Sequence, residues 1–240
     1  MIIDVHSHIV PQIDDGSESM EESLQMLQAA AREGIGAIIA TPHFEYGMGP
    51  EWLENRQKQF AGLCECAERS GISIKIYPGN EIFYSDSIIE TLMSGEAWTL
   101  NHTRYVLVEF PAYAEFSYIL AAVRKLQYAG FWPVLAHVER YTALGKTECV
   151  RELVELGACI QVNSGAVTGK DGWRTRQYVK KLMKCNLVHL VGTDSHGNRH
   201  RKPEMQQCLS YIKQKVGFSC CRQISEENPG KIIEGKQING

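Results

Sequence analysis

The 240-residue sequence lacks the features that mark several classes of protein. No apolar stretch approaches the ~18 residues that a membrane-spanning helix needs, and no run of basic residues indicates a nucleic-acid surface. A formal net charge of −3 likewise gives no electrostatic reason to expect nucleic-acid binding. The first residues lack a basic segment followed by a long apolar one, so we expect no signal peptide. We therefore expect a soluble cytoplasmic protein that binds no nucleic acid and does not insert into a membrane.

Cysteine is present, but in no pattern that carries chemistry. The eight cysteines include no Cys-x-x-Cys pair, and their spread along a long chain does not indicate a zinc ribbon or a disulfide scaffold. None is followed six positions later by arginine, which is the spacing that a thiol-dependent phosphatase needs. Any phosphoryl chemistry in this chain must therefore come from residues other than cysteine.

What the sequence does contain is a regular alternation of apolar strand-like runs with helical stretches. Predicted strands lie near residues 2–5, 35–40, 72–77, 105–108, 132–136, 158–162 and 187–191. Predicted helices lie near residues 19–33, 50–69, 116–129, 146–156, 173–184 and 204–216. A further short helix is predicted to start near residue 86, and a polar tail with a short turn follows the last helix. This alternation predicts an α/β fold with parallel strands and right-handed crossovers. No linker or repeat interrupts it, so we predict a single domain over residues 1–240.

Polar side chains follow the predicted strands from the first to the last. Seven strands suit either a closed barrel or an open doubly wound sheet. A barrel brings all strand ends around one rim, whereas an open sheet concentrates its site at one switch point, so the distribution favours a seven-stranded barrel. The side chains concerned are His6, His8, His43, Glu81, Glu109, His137, Asp194 and His196, with Asp15 in the first loop.

These nine side chains are of the types that bind divalent metal ions. Taken singly, each has an ordinary alternative as a helix cap, a surface carboxylate or a hydrogen-bonded core histidine. Five imidazoles and four carboxylates without a thiolate suit Mn²⁺, Fe²⁺, Zn²⁺ or Mg²⁺. Nine ligands suit two or three ions with bridging carboxylates, which generate hydroxide and neutralise phosphate in displacement reactions. By contrast, we interpret His102 and His189 as structural and leave His200 open.

Seven short segments also resemble a known family. They are His6-x-His8, Asp14-Asp15-Gly16, Thr41-Pro42-His43, Gly79-Asn80-Glu81, Val108-Glu109-Phe110, His137-Val138-Glu139-Arg140-Tyr141 and Thr193-Asp194-Ser195-His196. In this order they resemble the polymerase-and-histidinol-phosphatase (PHP) superfamily and, within it, the bacterial capsule-associated tyrosine phosphatases of the CpsB/YwqE type. The resemblance covers nearly the whole chain. It implies a distorted seven-stranded (β/α)7 TIM-like barrel (the PHP fold), a manganese-dependent trinuclear site and hydrolysis of phosphotyrosine by metal-bound hydroxide.

The resemblance further implies how the nine side chains divide among three ions. The first ion would be held by His6, His8, Glu81 and Asp194. The second would share Glu81 and add Glu109 and His137. The third would take Asp15, His43 and His196. Asp14 stays open as an alternative to Asp15, because the two adjoin in the sequence.

Two arginines match the phosphate-binding arginines of that family. They are Arg140 and Arg201, with Arg199 as an alternative to Arg201 because the register can slip. A guanidinium can bind two phosphate oxygens and offset charge as the leaving group departs, whereas the ordinary alternative for Arg140 is a surface salt bridge with Glu139. Phenolate is a comparatively good leaving group (tyrosine pKa ~10), and Asp15 or His196 could give it a proton through a water molecule.

By the same resemblance, the substrate is a tyrosine-phosphorylated protein, namely a bacterial tyrosine kinase of capsule or exopolysaccharide synthesis. Three alternatives stay open: a small-molecule phosphatase such as histidinol phosphatase, a nuclease, and a non-catalytic module that binds metal or phosphotyrosine. The missing basic groove disfavours the nuclease. Residues 44–50, which contain glycines and aromatics, are a candidate lid.

Overall fold

The computed structural model describes residues 1–238 and has an α/β fold with nine strand segments. The segments are β1 (Ile2–Ser7), β2 (Ile35–Ala40), β3 (His43–Phe44), β4 (Lys75–Pro78), β5 (Glu81–Phe83), β6 (Tyr105–Glu109), β7 (Trp132–Leu135), β8 (Cys159–Asn163) and β9 (Leu190–Gly192). All pairings between them are parallel. Parallel strands need crossover connections, and helices provide them here.

The helices occupy the stretches where helical periodicity predicted them, with further helices in two places. They are α1 (Met20–Arg32), α2 (Pro50–Arg69), α3 (Ile88–Ser94), α4 (Phe116–Tyr128), α5 (Thr147–Glu155), α6 (Ser164–Thr168), α7 (Trp173–Lys184), α8 (Gln206–Lys215), α9 (Phe218–Arg222) and α10 (Asn228–Ile233). The prediction of a polar tail after residue 216 is wrong. Three helical segments follow one another there without a break: α9, a π-helical segment (Gln223–Glu227) and α10. Cys221, Ile224 and Ile232 are buried there at helical spacing. None of the helices described has the length and apolarity needed to cross a membrane.

The strands form two sheets that meet at the end of β1. One sheet has the order β1-β2-β4 and the other the order β3-β5-β6-β7-β8-β9. A parallel bridge between Ser7 and Ser195 joins the end of β1 to the chain that follows β9. The parallel sheet is therefore curled into a half-barrel, and the predicted α/β class is confirmed.

The predicted count of seven strands is not confirmed, because nine strand segments are present and two of them, β3 and β5, follow β2 and β4 after a short break. Residues 41–42 separate β2 from β3, and residues 79–80 separate β4 from β5. The register continues across both breaks, since Ala40 pairs with Pro78 and His43 pairs with Glu81. Proline lacks the N–H that a central strand donates, which accounts for the interruption after β2.

Two apolar clusters pack on the two faces of this curled sheet. The larger lies between the strands and the surrounding helices and includes Leu27, Ile38, Val108, Leu126 and Leu182. The smaller fills the inside of the sheet and includes Val5, Ile39, Leu107, Val134 and Leu190, together with Ile232 and Ile238 from the end of the chain. Apolar side chains thus fill the body of the sheet, and the polar residues collect at the carboxyl ends of its strands.

Candidate metal centre

The carboxyl ends of the strands bring all nine predicted side chains together. Three groups have ligand atoms within 4.8 Å of one another: His6, His8, Glu81 and Asp194; His8, Asp15, His43 and His196; and His43, Glu81 and Glu109. His137 joins them, because its Nε2 lies 2.7 Å from Glu81 Oε1 and 3.4 Å from Glu109 Oε2. His8 and His43 each belong to two groups, so the clusters are contiguous rather than separate.

Glu81 lies at the centre of this arrangement and is almost fully buried. Its Oε2 is 3.1 Å from His6 Nε2, 3.2 Å from His8 Nε2 and 3.3 Å from His43 Nδ1, while its Oε1 contacts His137. Burial by itself favours the neutral acid, but the surrounding imidazoles hold the pKa of Glu81 well below its usual range. An ionised carboxylate with both oxygens directed at imidazoles is suited to bridge two cations.

Asp14 and Asp15 adjoin in the sequence but occupy different places. Asp14 Oδ2 lies 2.6 Å from His8 Nδ1 and accepts a hydrogen bond from the His43 backbone N–H at 2.9 Å. Asp14 is therefore behind the His8 ring and orients His8 Nε2 toward Glu81. Asp15 Oδ1 instead lies 3.5 Å from His43 Nε2 and 3.3 Å from His196 Nε2, within the cluster.

The turn after these aspartates requires glycine. A Cβ on Gly16 would lie 2.3 Å from the His8 carbonyl oxygen and 2.5 Å from His8 Cβ. Real side chains do not tolerate such distances, so only glycine lets the first loop fold back closely on His8. This close approach brings both aspartates to the histidines of β1.

Two buried amides belong to the site although the sequence analysis did not select them. Gln161 Oε1 accepts a hydrogen bond from the His137 backbone N–H at 2.7 Å and lies 3.3 Å from His6 Nδ1. Its Nε2 donates to Asn163 Oδ1, and Asn163 Nδ2 donates to Asp194 Oδ2 at 2.8 Å. Both residues lie at alternate positions at the carboxyl end of β8, and that spacing is the signal that could have identified them.

Both predicted arginines lie against Asp194, one on each carboxylate oxygen. Arg140 Nη2 is 2.7 Å from Oδ2 and Arg201 Nη2 is 2.6 Å from Oδ1. The side chains of Arg140 and Arg201 stay exposed, at 43% and 42% respectively. Arg201, rather than Arg199, therefore makes the contact with the centre. The surface ion pair considered for Arg140 is not formed, since Glu139 instead accepts the Asn163 backbone N–H at 2.9 Å.

The pKa values of the imidazoles differ according to the charged groups beside them. Burial lowers the affinity of His8 for a proton, but hydrogen bonds to Asp14 and Glu81 outweigh it and raise its pKa to about 10. The same competition raises the pKa of His137 to about 9 through Glu109 and Glu81. Burial and the positive charges of His8 and Arg201 lower the pKa of His196 to about 4. The carboxylates thus attract cations to this rim, whether protons or metal ions.

The donor set fits divalent cations. The Nε2 atom of His196 is buried and makes no well-aligned hydrogen bond among residues 1–238, although Asp15 Oδ1 lies 3.3 Å away and both atoms belong to a group with His8 and His43. A buried polar nitrogen without a partner is costly, and a metal ion would satisfy it. Imidazole and carboxylate donors together suit the ions predicted from the sequence.

Two cavities open beside the centre. One, of about 210 Å³, is lined by residues that include Arg140, Arg201, Lys170 and Lys202. The other, of about 680 Å³, lies on the Asp15 side. A phosphorylated ligand can therefore reach the centre next to the two arginines. Phe44, the first residue of the candidate lid, is buried in β3.

Comparisons with known proteins identify relatives of this chain. The family described as "Capsular polysaccharide synthesis, CpsB/CapC" matches residues 2–234. Tyrosine-protein phosphatase CpsB of Streptococcus pneumoniae is 35% identical, over 99% of this chain and 100% of the relative. Tyrosine-protein phosphatase YwqE of Bacillus subtilis strain 168 is 32% identical, over 94% of this chain and 89% of the relative.

A solved structure is similar over the same extent. It comes from crystal structures of YwqE from Bacillus subtilis and CpsB from Streptococcus pneumoniae, described as unique metal-dependent tyrosine phosphatases. The TM-score is 0.90 at 30% identity, over 98% of this chain and 95% of that chain. The resemblance read from the motifs is therefore confirmed, and the chain belongs to the CpsB/CapC family of capsular polysaccharide synthesis proteins.

Proposed function

We propose that this chain is a metal-dependent phosphomonoesterase that hydrolyses phosphotyrosine in proteins. The observation that carries the proposal is the position of Glu81, a buried carboxylate in contact with four imidazoles, beside two arginines held on Asp194. Two relatives named tyrosine-protein phosphatases, and a solved structure described as metal-dependent, support this reaction class.

We infer that two or three divalent ions, Mn²⁺ first among them and Fe²⁺, Zn²⁺ or Mg²⁺ as alternatives, bind to the nine side chains. The side chains that would hold them are His6, His8, Asp15, His43, Glu81, Glu109, His137, Asp194 and His196. Bound ions would activate water and neutralise the charge of the phosphate. Asp14 and Gln161 contribute by orienting His8 and His6, because each lies against the ring nitrogen opposite Glu81.

The two arginines are the groups we assign to the phosphate. Arg140 and Arg201 lie on the same carboxylate, and their guanidinium groups line the 210 Å³ cavity. Planar N–H pairs can bind two phosphate oxygens each and oppose charge that develops as the ester bond breaks. Asp194 keeps both guanidinium groups at the edge of the metal centre, where such oxygens would lie.

We assign proton delivery to Asp15 and His196. Asp15 is 68% exposed, and its Oδ1 lies 3.3 Å from His196 Nε2, so this pair connects the centre to solvent. With both side chains holding an ion, a water molecule beside Asp15 and His196 would carry the proton to the departing phenolate. Because the tyrosine hydroxyl has a pKa of ~10, phenolate is a comparatively good leaving group and needs only modest help from an acid.

The family relationship supports the physiological setting that we propose. We infer that the substrate is a bacterial tyrosine kinase of capsule or exopolysaccharide synthesis, because the matched family is described by capsular polysaccharide synthesis. The proposal also places the enzyme in the cytoplasm, as expected from the sequence. We also propose that residues 1–240 act as one domain. In this proposal β2 with β3 and β4 with β5 count as single broken strands, which gives a distorted seven-stranded barrel.

The test is phosphate release by metal-stripped protein reloaded with Mn²⁺, with three substrates in parallel. We expect strong preference for a phosphotyrosine peptide over a phosphoserine peptide and histidinol phosphate, and loss of release with a chelator. Preference for histidinol phosphate would contradict the protein substrate and indicate a small-molecule phosphatase. Metal binding without release from any substrate would contradict catalysis and indicate a binding module.

A further inference from the structure

A buried arginine outside the metal centre has no acidic partner. Arg56, in the first half of α2, is only 3% exposed, and no carboxylate lies within ion-pair distance of it among residues 1–238. Its guanidinium lies over the ring of Trp98 at 3.8 Å, with Trp52 at 5.1 Å and Phe44 at 5.9 Å. A buried cation is costly unless it is compensated, and aromatic faces compensate it only in part. An apolar side chain of similar length would fill this space at lower cost.

Within residues 1–238, the hydrogen bond that Arg56 makes is directed at the turn before Glu81. Arg56 Nη1 donates to Asn80 Oδ1 at 2.6 Å, and the same oxygen accepts the Trp98 backbone N–H at 2.9 Å. With two donors on its oxygen, the Asn80 amide can point its Nδ2 only the other way. That Nδ2 donates to the Pro42 carbonyl at 2.8 Å. Arg56 therefore supplies the shorter, charged one of the two hydrogen bonds that hold the oxygen of this buried amide.

The Asn80 amide joins the two strand breaks that carry metal-centre residues. Pro42 precedes His43 and Asn80 precedes Glu81, and the Pro42 carbonyl also accepts the Glu81 backbone N–H at 3.2 Å. The aromatic rings around Arg56 reach a third segment, since Trp52 Nε1 donates to the Ile13 carbonyl at 3.3 Å, directly before the two aspartates. One buried side chain thus connects the segments that carry three parts of the centre.

We propose that Arg56 is a positioning residue for the metal centre, which acts through Asn80 to set the placement of His43 relative to Glu81. The inference rests on the proposed metal centre, but not on the identity of the substrate. His43 Nδ1 and Glu81 Oε2 are 3.3 Å apart, so a small shift of either strand break changes the geometry of their shared group. Burial lowers the pKa of Arg56 only to about 10, so the side chain stays cationic at neutral pH.

The experiment measures Mn²⁺ binding to metal-stripped protein by titration calorimetry, together with kcat on a phosphotyrosine peptide at saturating Mn²⁺. The variants are Arg56→Met, which keeps the length and loses the hydrogen bond, and Arg56→Lys, which keeps the charge. We expect Arg56→Met to weaken Mn²⁺ binding about 10- to 100-fold, as substitution of residues behind metal ligands commonly does. Arg56→Lys should recover part of this loss.

Arg176→Met is the matched control. Arg176 also lies over an aromatic ring, that of Tyr211 at 4.2 Å, and also has a buried Nε without a partner, but it makes no hydrogen bond to a segment that carries the centre in the part of the chain described. We expect this variant to lose thermal stability and to bind Mn²⁺ as the wild type does. Equal Mn²⁺ affinity and kcat in wild type and Arg56→Met would overturn the proposal and leave Arg56 as a packing residue.

A second variant keeps the proposal testable if Arg56→Met does not fold. Asn80→Ser removes the amide that reaches Pro42 and leaves Arg56 in place, and we expect the same order of loss in Mn²⁺ affinity. Unchanged affinity in folded Asn80→Ser would also overturn the proposal. If the wild type binds Mn²⁺ but releases no phosphate, only the proposed phosphatase activity is contradicted. The Mn²⁺ affinities of the variants relative to the wild type still test whether Arg56 positions the metal centre. Absence of Mn²⁺ binding by the wild type would overturn both.

Discussion

The histidines at the two ends of the curled sheet are buried alike but carry protons differently. At the carboxyl ends of the strands, His8 and His137 lie against carboxylates, which raise their pKa values to about 10 and about 9 despite burial. At the amino end of β9, His189 accepts only the Ile160 backbone N–H on its Nδ1, and burial lowers its pKa to about 4. Burial alone therefore makes a neutral structural histidine, whereas carboxylate neighbours make a site that attracts cations.

Hydrogen bonds from the last described residues also cover the amino ends of the strands. Tyr105 at the start of β6 donates its hydroxyl proton to the Lys236 carbonyl at 3.0 Å and accepts the Ile238 backbone N–H at 2.8 Å. Asn228 of α10 donates to the His189 carbonyl at 2.9 Å. Residues 228–238 thus cover this side of the sheet. Substitutions here should therefore affect stability, whereas those at the carboxyl ends of the strands should affect activity.

The largest expected effect is that of His6→Ala. Loss of this imidazole removes one contact of Glu81 and opens the group that we assign to the first ion. We expect kcat/KM for a phosphotyrosine peptide to fall on the order of 10³-fold, comparable to the loss of a principal electrostatic group in other active sites. Steady-state kinetics at saturating Mn²⁺ measure it. A fall of less than tenfold in a folded variant would contradict the role of His6.

The next effect concerns His189 and pH. Its pKa is about 4 in the folded state against 6.5 ordinarily, so the unfolded chain binds the proton first as pH falls. Relative to His189→Asn, whose amide oxygen can replace Nδ1, the wild type should lose about 2 kcal/mol of unfolding free energy as pH falls from about 8 to about 5. Urea unfolding at several pH values measures the difference. Parallel profiles for the two proteins would show that His189 does not titrate in this range.

Substitution of Arg201 and of Arg199, which lie two positions apart, distinguishes their roles. Arg201 lies 2.6 Å from Asp194, so Arg201→Lys replaces a planar fork by a single ammonium and should lower kcat/KM by about 10- to 100-fold. Arg199→Lys should change it by less than about threefold, since Arg199 makes no ion pair among the residues described. The kcat/KM values of the two variants, measured side by side with the same phosphotyrosine peptide, show which arginine acts on the phosphate. Equal losses would contradict the assignment of Arg201.

The smallest effect is that of Tyr105→Phe at the amino end. The variant loses the hydroxyl that bonds to Lys236 and Ile238 and keeps the ring. We expect a loss of about 1–2 kcal/mol in the free energy of unfolding. Because Tyr105 is remote from the carboxyl ends of the strands, kcat should stay that of the wild type. A clear fall in kcat in the folded variant would mean that the two ends are coupled.

Eight of the nine residues of the centre could be predicted because each follows an apolar run, and such runs end at one rim in a parallel fold, whereas Asp15 lies in the first loop. Sequence reasoning did not find Gln161 and Asn163, because neutral amides have no motif and acquire a role only from the partners that folding provides. It missed α9 and α10 for a related reason. Their apolar positions are sparse, and burial against the sheet rather than helix propensity stabilises them.

By itself, the sequence determined the α/β class, the strand ends and the set of imidazoles and carboxylates, because periodicity and residue type are local properties. Only the tertiary structure decided which groups act together. It placed Asp15 in the cluster and Asp14 behind His8, and it set Arg201 rather than Arg199 on Asp194. Two residues of the same type that lie one or two positions apart cannot be distinguished by side-chain chemistry, because only the direction that the folded backbone gives each side chain separates them.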